Sequence, residues 1–162
     1  MHFRCLALRG FAALVLVVGG PLSAQSAPLA KLMGTWVMDT TNGPDDHGLP
    51  KSETLVFAPT ANGFRLTATT DDGQGPGTST FACTTDGATT DVGAGRSMHC
   101  TVRLMSDSVL YALDAVKDGK TTPVERGRLI AAPSGHVLRD QYDALSEPNG
   151  PTHHRHIYAK QP

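Results

Sequence analysis

Turn residues recur through this chain so often that no long helix fits between them. There are 17 glycines and 11 prolines in 162 residues. Apolar alternation therefore has room only for short segments, which is the mark of an antiparallel meander. Phe64-Arg65-Leu66-Thr67-Ala68-Thr69 shows the pattern cleanly. Phe64, Leu66 and Ala68 share one face, and Arg65, Thr67 and Thr69 share the other. Similar segments run from Ser52 to Ala58, with Leu55 and Phe57 in phase, and from Ser79 to Thr85, with Phe81 and Cys83 in phase. Ser97 to Leu104 puts Met98, Cys100, Val102 and Leu104 on one face. Asp107 to Val116, Thr121 to Ala132, His136 to Leu145 and Thr152 to Lys160 complete the set, with a weak segment over Ala88 to Gly95. Asn62-Gly63, Asp86-Gly87, Asp118-Gly119 and Ser134-Gly135 punctuate them as turns, and Asn62-Gly63 is expected to supply positive φ in a hairpin. About eight to ten strands result, enough to close a barrel around side chains or one small ligand.

The N-terminus has a different character. Arg4 and Arg9 precede the apolar run Phe11 to Val18, Gly19-Gly20-Pro21 breaks it, and Leu22-Ser23-Ala24 offers small residues for cleavage. Residues Met1 to Ala24 read as a secretory signal peptide, too short in its apolar run to span a bilayer. The domain then covers residues 25–162, and the protein is expected to be periplasmic or secreted. Cleavage leaves 12 basic against 15 acidic residues, a net charge of about −3. That balance argues against nucleic acid or an anionic membrane surface as partner, and no second apolar span follows. Cys83 and Cys100 survive cleavage, and an even count in an exported chain suggests a disulfide. Metal-ligating thiols, or two separately buried thiols, are the alternatives. The closed loop of ~15–20 residues would contribute on the order of 3 kcal/mol.

The first strand is expected over Lys31 to Asp39, and it holds the single tryptophan in Gly34-Thr35-Trp36. Glycine lets another group lie against its backbone, and an indole buries a large apolar area while needing a partner for its N–H. With Pro50-Lys51-Ser52-Glu53-Thr54, Lys117-Asp118-Gly119-Lys120 and Ile157-Tyr158-Ala159-Lys160, this punctuation resembles small exported bacterial proteins with a lipocalin-like (calycin-type) β-barrel. Most members have no assigned activity. The resemblance implies an all-β, antiparallel up-and-down barrel whose floor is sealed by Trp36. It also implies an arginine from the last strand lying over that indole, a contact of about 0.5–2 kcal/mol. Arg155 is the candidate, and the apolar Ile157 in the same phase favours turning it inward.

His153-His154-Arg155-His156 is the most unusual local composition. His154 and His156 share a strand face about 7 Å apart, within reach of one Zn²⁺ or Cu²⁺. A third ligand would have to come from His47, His99 or His136. The Arg155-inward phase would turn both histidines to solvent, so the two readings compete. No nucleophile elbow or phosphate-cradling loop is present. His136, Asp140 and Asp143 form no acid–base group in register. No catalytic residue or cofactor is assigned, and the chain is expected not to be an enzyme. The leading expectation is a binding protein whose interior, lined by Phe57, Phe64, Leu66, Phe81 and Met98, holds a small apolar molecule. A metal-binding protein using His154 and His156, or an envelope-interaction protein with a filled barrel, are the alternatives.

Overall fold

Each alternating segment supplies an apolar stripe that one sheet face can bury, and the turns between them are short. The computed structural model describes residues 26–40, 50–143 and 152–162. A short helix, α1 (Ala27–Leu32), precedes ten strands. They are β1 (Gly34–Met38), β2 (Ser52–Thr60), β3 (Gly63–Asp71), β4 (Pro76–Thr84), β5 (Ala88–Gly93), β6 (Arg96–Leu104), β7 (Val109–Lys117), β8 (Lys120–Ala131), β9 (His136–Asp143) and β10 (Thr152–Lys160). The expected signal peptide, Met1 to Ala24, lies outside the described residues, as does His47. Among the described residues no helix is long and apolar enough to cross a membrane.

The strands form one sheet in the order β4-β3-β2-β1-β10-β9-β8-β7-β6-β5, and a β4–β6 pairing closes it. Nine strands make the ring, and β5 lies along the seam. All neighbours are antiparallel except at the seam, where Thr84 meets Thr101 in a parallel pairing. Thr90 on β5 accepts a hydrogen bond from the Ala82 amide of β4 at 3.1 Å. The Cys83–Cys100 disulfide, with Cα atoms 4.6 Å apart, ties β4 to β6 beside that pairing. The expected bridge is thus the covalent part of barrel closure.

The floor departs from the expected strand limits. Lys31 and Leu32 belong to α1, so β1 begins only at Gly34. Leu29, Leu32 and Trp36 are buried together, and the indole Nε1 donates to the Leu32 carbonyl at 2.7 Å. Gly34 adopts φ +117°, a conformation side chains resist, which lets the chain swing from α1 into the sheet. Phe57 and Phe64 cross edge to face at 5.1 Å just above. With Leu55, Val109, Leu129, Val137 and Tyr158 they fill the lower half of the barrel.

Two turn assignments behave differently. Asp118 and Gly119 both have positive φ and join β7 to β8 as a two-residue hairpin, as their sequence predicts. Asn62 is not among the positive-φ residues. Gly63 is required for another reason: a Cβ there would come 1.9 Å from the Cys83 carbonyl oxygen. Pro123 sits next to a bulge in β8, where the ladder tolerates a missing donor.

Candidate functional site

Among the described residues, three buried charged side chains point into the barrel where alternation alone would put apolar ones. Glu53 continues the inward phase of Leu55 and Phe57 on β2. Glu125 lies in phase with Leu129 on β8, and Arg139 lies in phase with Val137 on β9. All three are buried, at 7%, 8% and 9% exposure. A buried charge persists only when paired and hydrogen-bonded. Arg139 Nη1 lies 3.3 Å from Glu53 Oε2, and its Nη2 donates to Glu125 Oε1 at 2.8 Å. Its Nε donates to the Tyr111 hydroxyl at 3.1 Å. The Tyr111 and Tyr158 hydroxyls donate to Glu125 and Glu53 respectively, and Thr70 donates to Glu53 Oε1 at 2.9 Å.

This network forms a polar septum across the middle of the barrel. Burial opposes the charge on Arg139, but Tyr111, Glu125, Tyr158 and Glu53 around it more than compensate, so its pKa is raised and it stays protonated. Burial likewise pushes both phenols up, and they remain neutral donors. Gly127 faces Tyr111 across the β7–β8 ladder. A Cβ at Gly127 would lie 2.4 Å from the phenol carbon and oxygen, so the glycine makes the space in which the Tyr111 ring lies.

Above the septum lies a cavity of about 360 Å³. Leu66, Ala68, Phe81, Val92, Met98 and Leu113 supply apolar wall, Glu53, Glu125 and Arg139 the polar base, and Arg96 a charged side chain at its mouth. Below the septum the space among Leu55, Phe57, Phe64 and Leu129 holds only about 10 Å³. Of the five expected ligand-lining residues, Leu66, Phe81 and Met98 face the upper cavity. Phe57 and Phe64 are packed beneath it, at 2% and 1% exposure, and are floor rather than lining.

The last strand takes the opposite phase from the one expected. His156 and Tyr158 are buried, while the Arg155 side chain is 51% exposed and pairs outside with Asp140. Tyr158 decides the phase, because its ring is fully buried and its hydroxyl reaches Glu53. Ile157, whose burial favoured the other choice, is only half-buried. The cation over the indole is instead Lys160, with Nζ 5.1 Å from the ring centroid. Lys160 shares the phase of His156 and Tyr158 and pairs directly with Trp36. The rings of His154 and His156 lie 6.0 Å apart, but among the described residues no group of three His, Cys, Asp or Glu is placed to hold a metal ion. His156 Nδ1 is buried without a hydrogen-bond partner. Burial, aided by the Arg139 charge, lowers its pKa below the ordinary 6.5.

Glu53, Glu125, Arg139, Tyr111 and Tyr158 were not expected as site residues. The available signal was a lone charge embedded in an apolar phase, as at Glu53 before Leu55 and Phe57.

No family model matches the chain, and no curated protein is similar to it in sequence. Among solved structures the chain is similar to a "REP1-NXSQ fatty acid transporter", with a TM-score of 0.51 and 11% identity over 82% of this chain and 98% of that one. At that identity the likeness is one of fold, and it places the closed barrel among known architectures.

Proposed function

We propose that this chain is an exported, lipocalin-like barrel that binds one small molecule with an apolar body in the upper half of its interior. The observation that carries the reading is the hollow of about 360 Å³ between Leu66, Phe81, Met98 and Leu113, set above a lower half that is filled. An apolar pocket with a few convergent polar groups is the usual form of a small-molecule site. The fold likeness to a protein titled a fatty acid transporter agrees with such a use. Export rests on the leader-like residues Met1 to Ala24, and the Cys83–Cys100 disulfide is compatible with it. The chain acts by binding and not by catalysis in this reading, in which Arg139 and the two phenols serve to hold Glu53 and Glu125 inside the barrel.

Native mass spectrometry of protein from the exported fraction tests the proposal. A co-purified small molecule, lost in a Leu66→Trp variant that fills the cavity yet keeps its fold, is the expected result. If neither a co-purified molecule nor binding of any medium-chain amphiphile is found, the binding reading is overturned. N-terminal sequencing should begin at Gln25; an uncut leader would overturn the cleavage site, and absence of the protein from the exported fraction would overturn the export reading.

A further inference from the structure

The head group that this cavity accepts can be read from its base, on the assumption that the binding reading above holds. We infer that the occupant is a medium-chain amine, bound as its ammonium ion against Glu125, rather than a carboxylate of the kind the structural neighbour's title names. The inference is a count of charges and hydrogen-bond positions. The base of the cavity holds two carboxylates, Glu53 and Glu125, and one guanidinium, Arg139. Those groups sum to one net negative charge, since both tyrosines hold their protons.

Every nitrogen of the guanidinium at the base already donates once, which takes three of its five N–H groups. Arg139 uses Nε on Tyr111, Nη1 on Glu53 and Nη2 on Glu125. Each phenol gives its one proton to a carboxylate. Acceptor capacity remains. Both bonds to Glu125 fall on Oε1, so Oε2 is the oxygen that neither bond uses. A carboxylate ligand would meet two like charges beside a guanidinium that already serves both of them, whereas an ammonium supplies donors to Glu125 Oε2 and the missing positive charge. The positive group that could favour an anion, Arg96, is exposed at the mouth, where water and salt weaken its pull. The apolar wall from Leu66 to Met98 then covers the alkyl chain.

Isothermal titration calorimetry with decylamine, decanoate and decanol, each below its micelle-forming concentration at neutral pH, tests this. Decylamine should bind at least about tenfold more tightly than decanoate, and Glu125→Gln should remove most of that preference. Decanoate binding as tightly as decylamine would overturn the head-group inference and leave the binding reading intact. Failure of all three probes would instead overturn the binding reading itself. An amine preference that survives in folded E125Q would overturn the assignment to Glu125. If E125Q does not fold, the Glu125 carboxyl ¹³C resonance of the unaltered protein must move on adding decylamine, and a resonance that stays put would overturn the assignment.

Discussion

Replacing Arg139 by methionine tests the septum most directly. The substitution keeps a long apolar stem but removes the guanidinium, leaving Glu53 and Glu125 facing each other inside the barrel. Their side chains are 8% and 10% exposed, and that of Arg139 is 11% exposed, so solvent screening relieves little of the cost. Breaking a buried pair by removing one partner costs about 3–5 kcal/mol, because the other charge stays buried without compensation. Here one cation serves two carboxylates and a phenol, which sets the expectation toward the upper end of that range. A domain of this size is stable by roughly 5–15 kcal/mol, so Arg139→Met should take a large share of the total without abolishing folding in every buffer. Urea unfolding at neutral pH with the disulfide intact measures it. The triple variant Arg139→Met/Glu53→Gln/Glu125→Gln, which removes all three charges, should recover most of the loss. A cost below about 1 kcal/mol in the single variant would mean that water reaches the septum. A triple variant no more stable than the single would mean that packing, not unpaired charge, was lost. Either result refutes the account of the septum.

Three further perturbations follow from named contacts. Gly127→Ala places a methyl where the Tyr111 ring lies, so it should destabilise by about 1–3 kcal/mol and change the near-ultraviolet dichroism, and Gly127→Ala/Tyr111→Leu should relieve part of the loss. Cys83→Ser/Cys100→Ser removes the covalent seam over a separation of 17 residues; urea unfolding should show a loss of about 3 kcal/mol, matched by the unaltered protein in reductant. His156 is protonated less readily in the folded chain than in the unfolded one. The unfolded state therefore binds more protons as pH falls below about 6.5. Stability from this group is full above that pH and is lost progressively on acidification until the lower folded pKa is passed. Thermal unfolding between about pH 7.5 and pH 5 should show the decline, and His156→Gln should flatten it.

Much of the barrel was legible in the sequence because alternation and turn chemistry agree in it. Phe64, Leu66 and Ala68 share a face because a pleated strand allows nothing else, and Asp118-Gly119 makes a hairpin because its backbone needs positive φ. The disulfide was legible from cysteine count and the expected compartment. Gly63 shows a limit of the same reasoning. Its place at a hairpin was readable, yet its cause is the Cys83 carbonyl at the far end of the next strand, 20 residues along the chain. Helix α1 was missed because six residues are too few to display a helical period.

The septum and the phase of β10 were hidden for one shared reason. Alternation tells which side chains lie together but not which side is inside, so polarity must break the tie. In β10 that rule weighs Ile157 against His154, His156 and Tyr158, and it turns the isoleucine in. The barrel does the opposite, because Tyr158 brings a ring to the core and a hydroxyl to Glu53. Glu53 accepts that proton only because Arg139 stands beside it, and Arg139 is inside only because Glu53 and Glu125 are there to meet it. Each polar residue is misplaced when judged alone and well placed when judged with the others. They come from β2, β8, β9 and β10, up to 105 residues apart in the chain. The unit that decides burial here is the set, and it exists only once the sheet has closed.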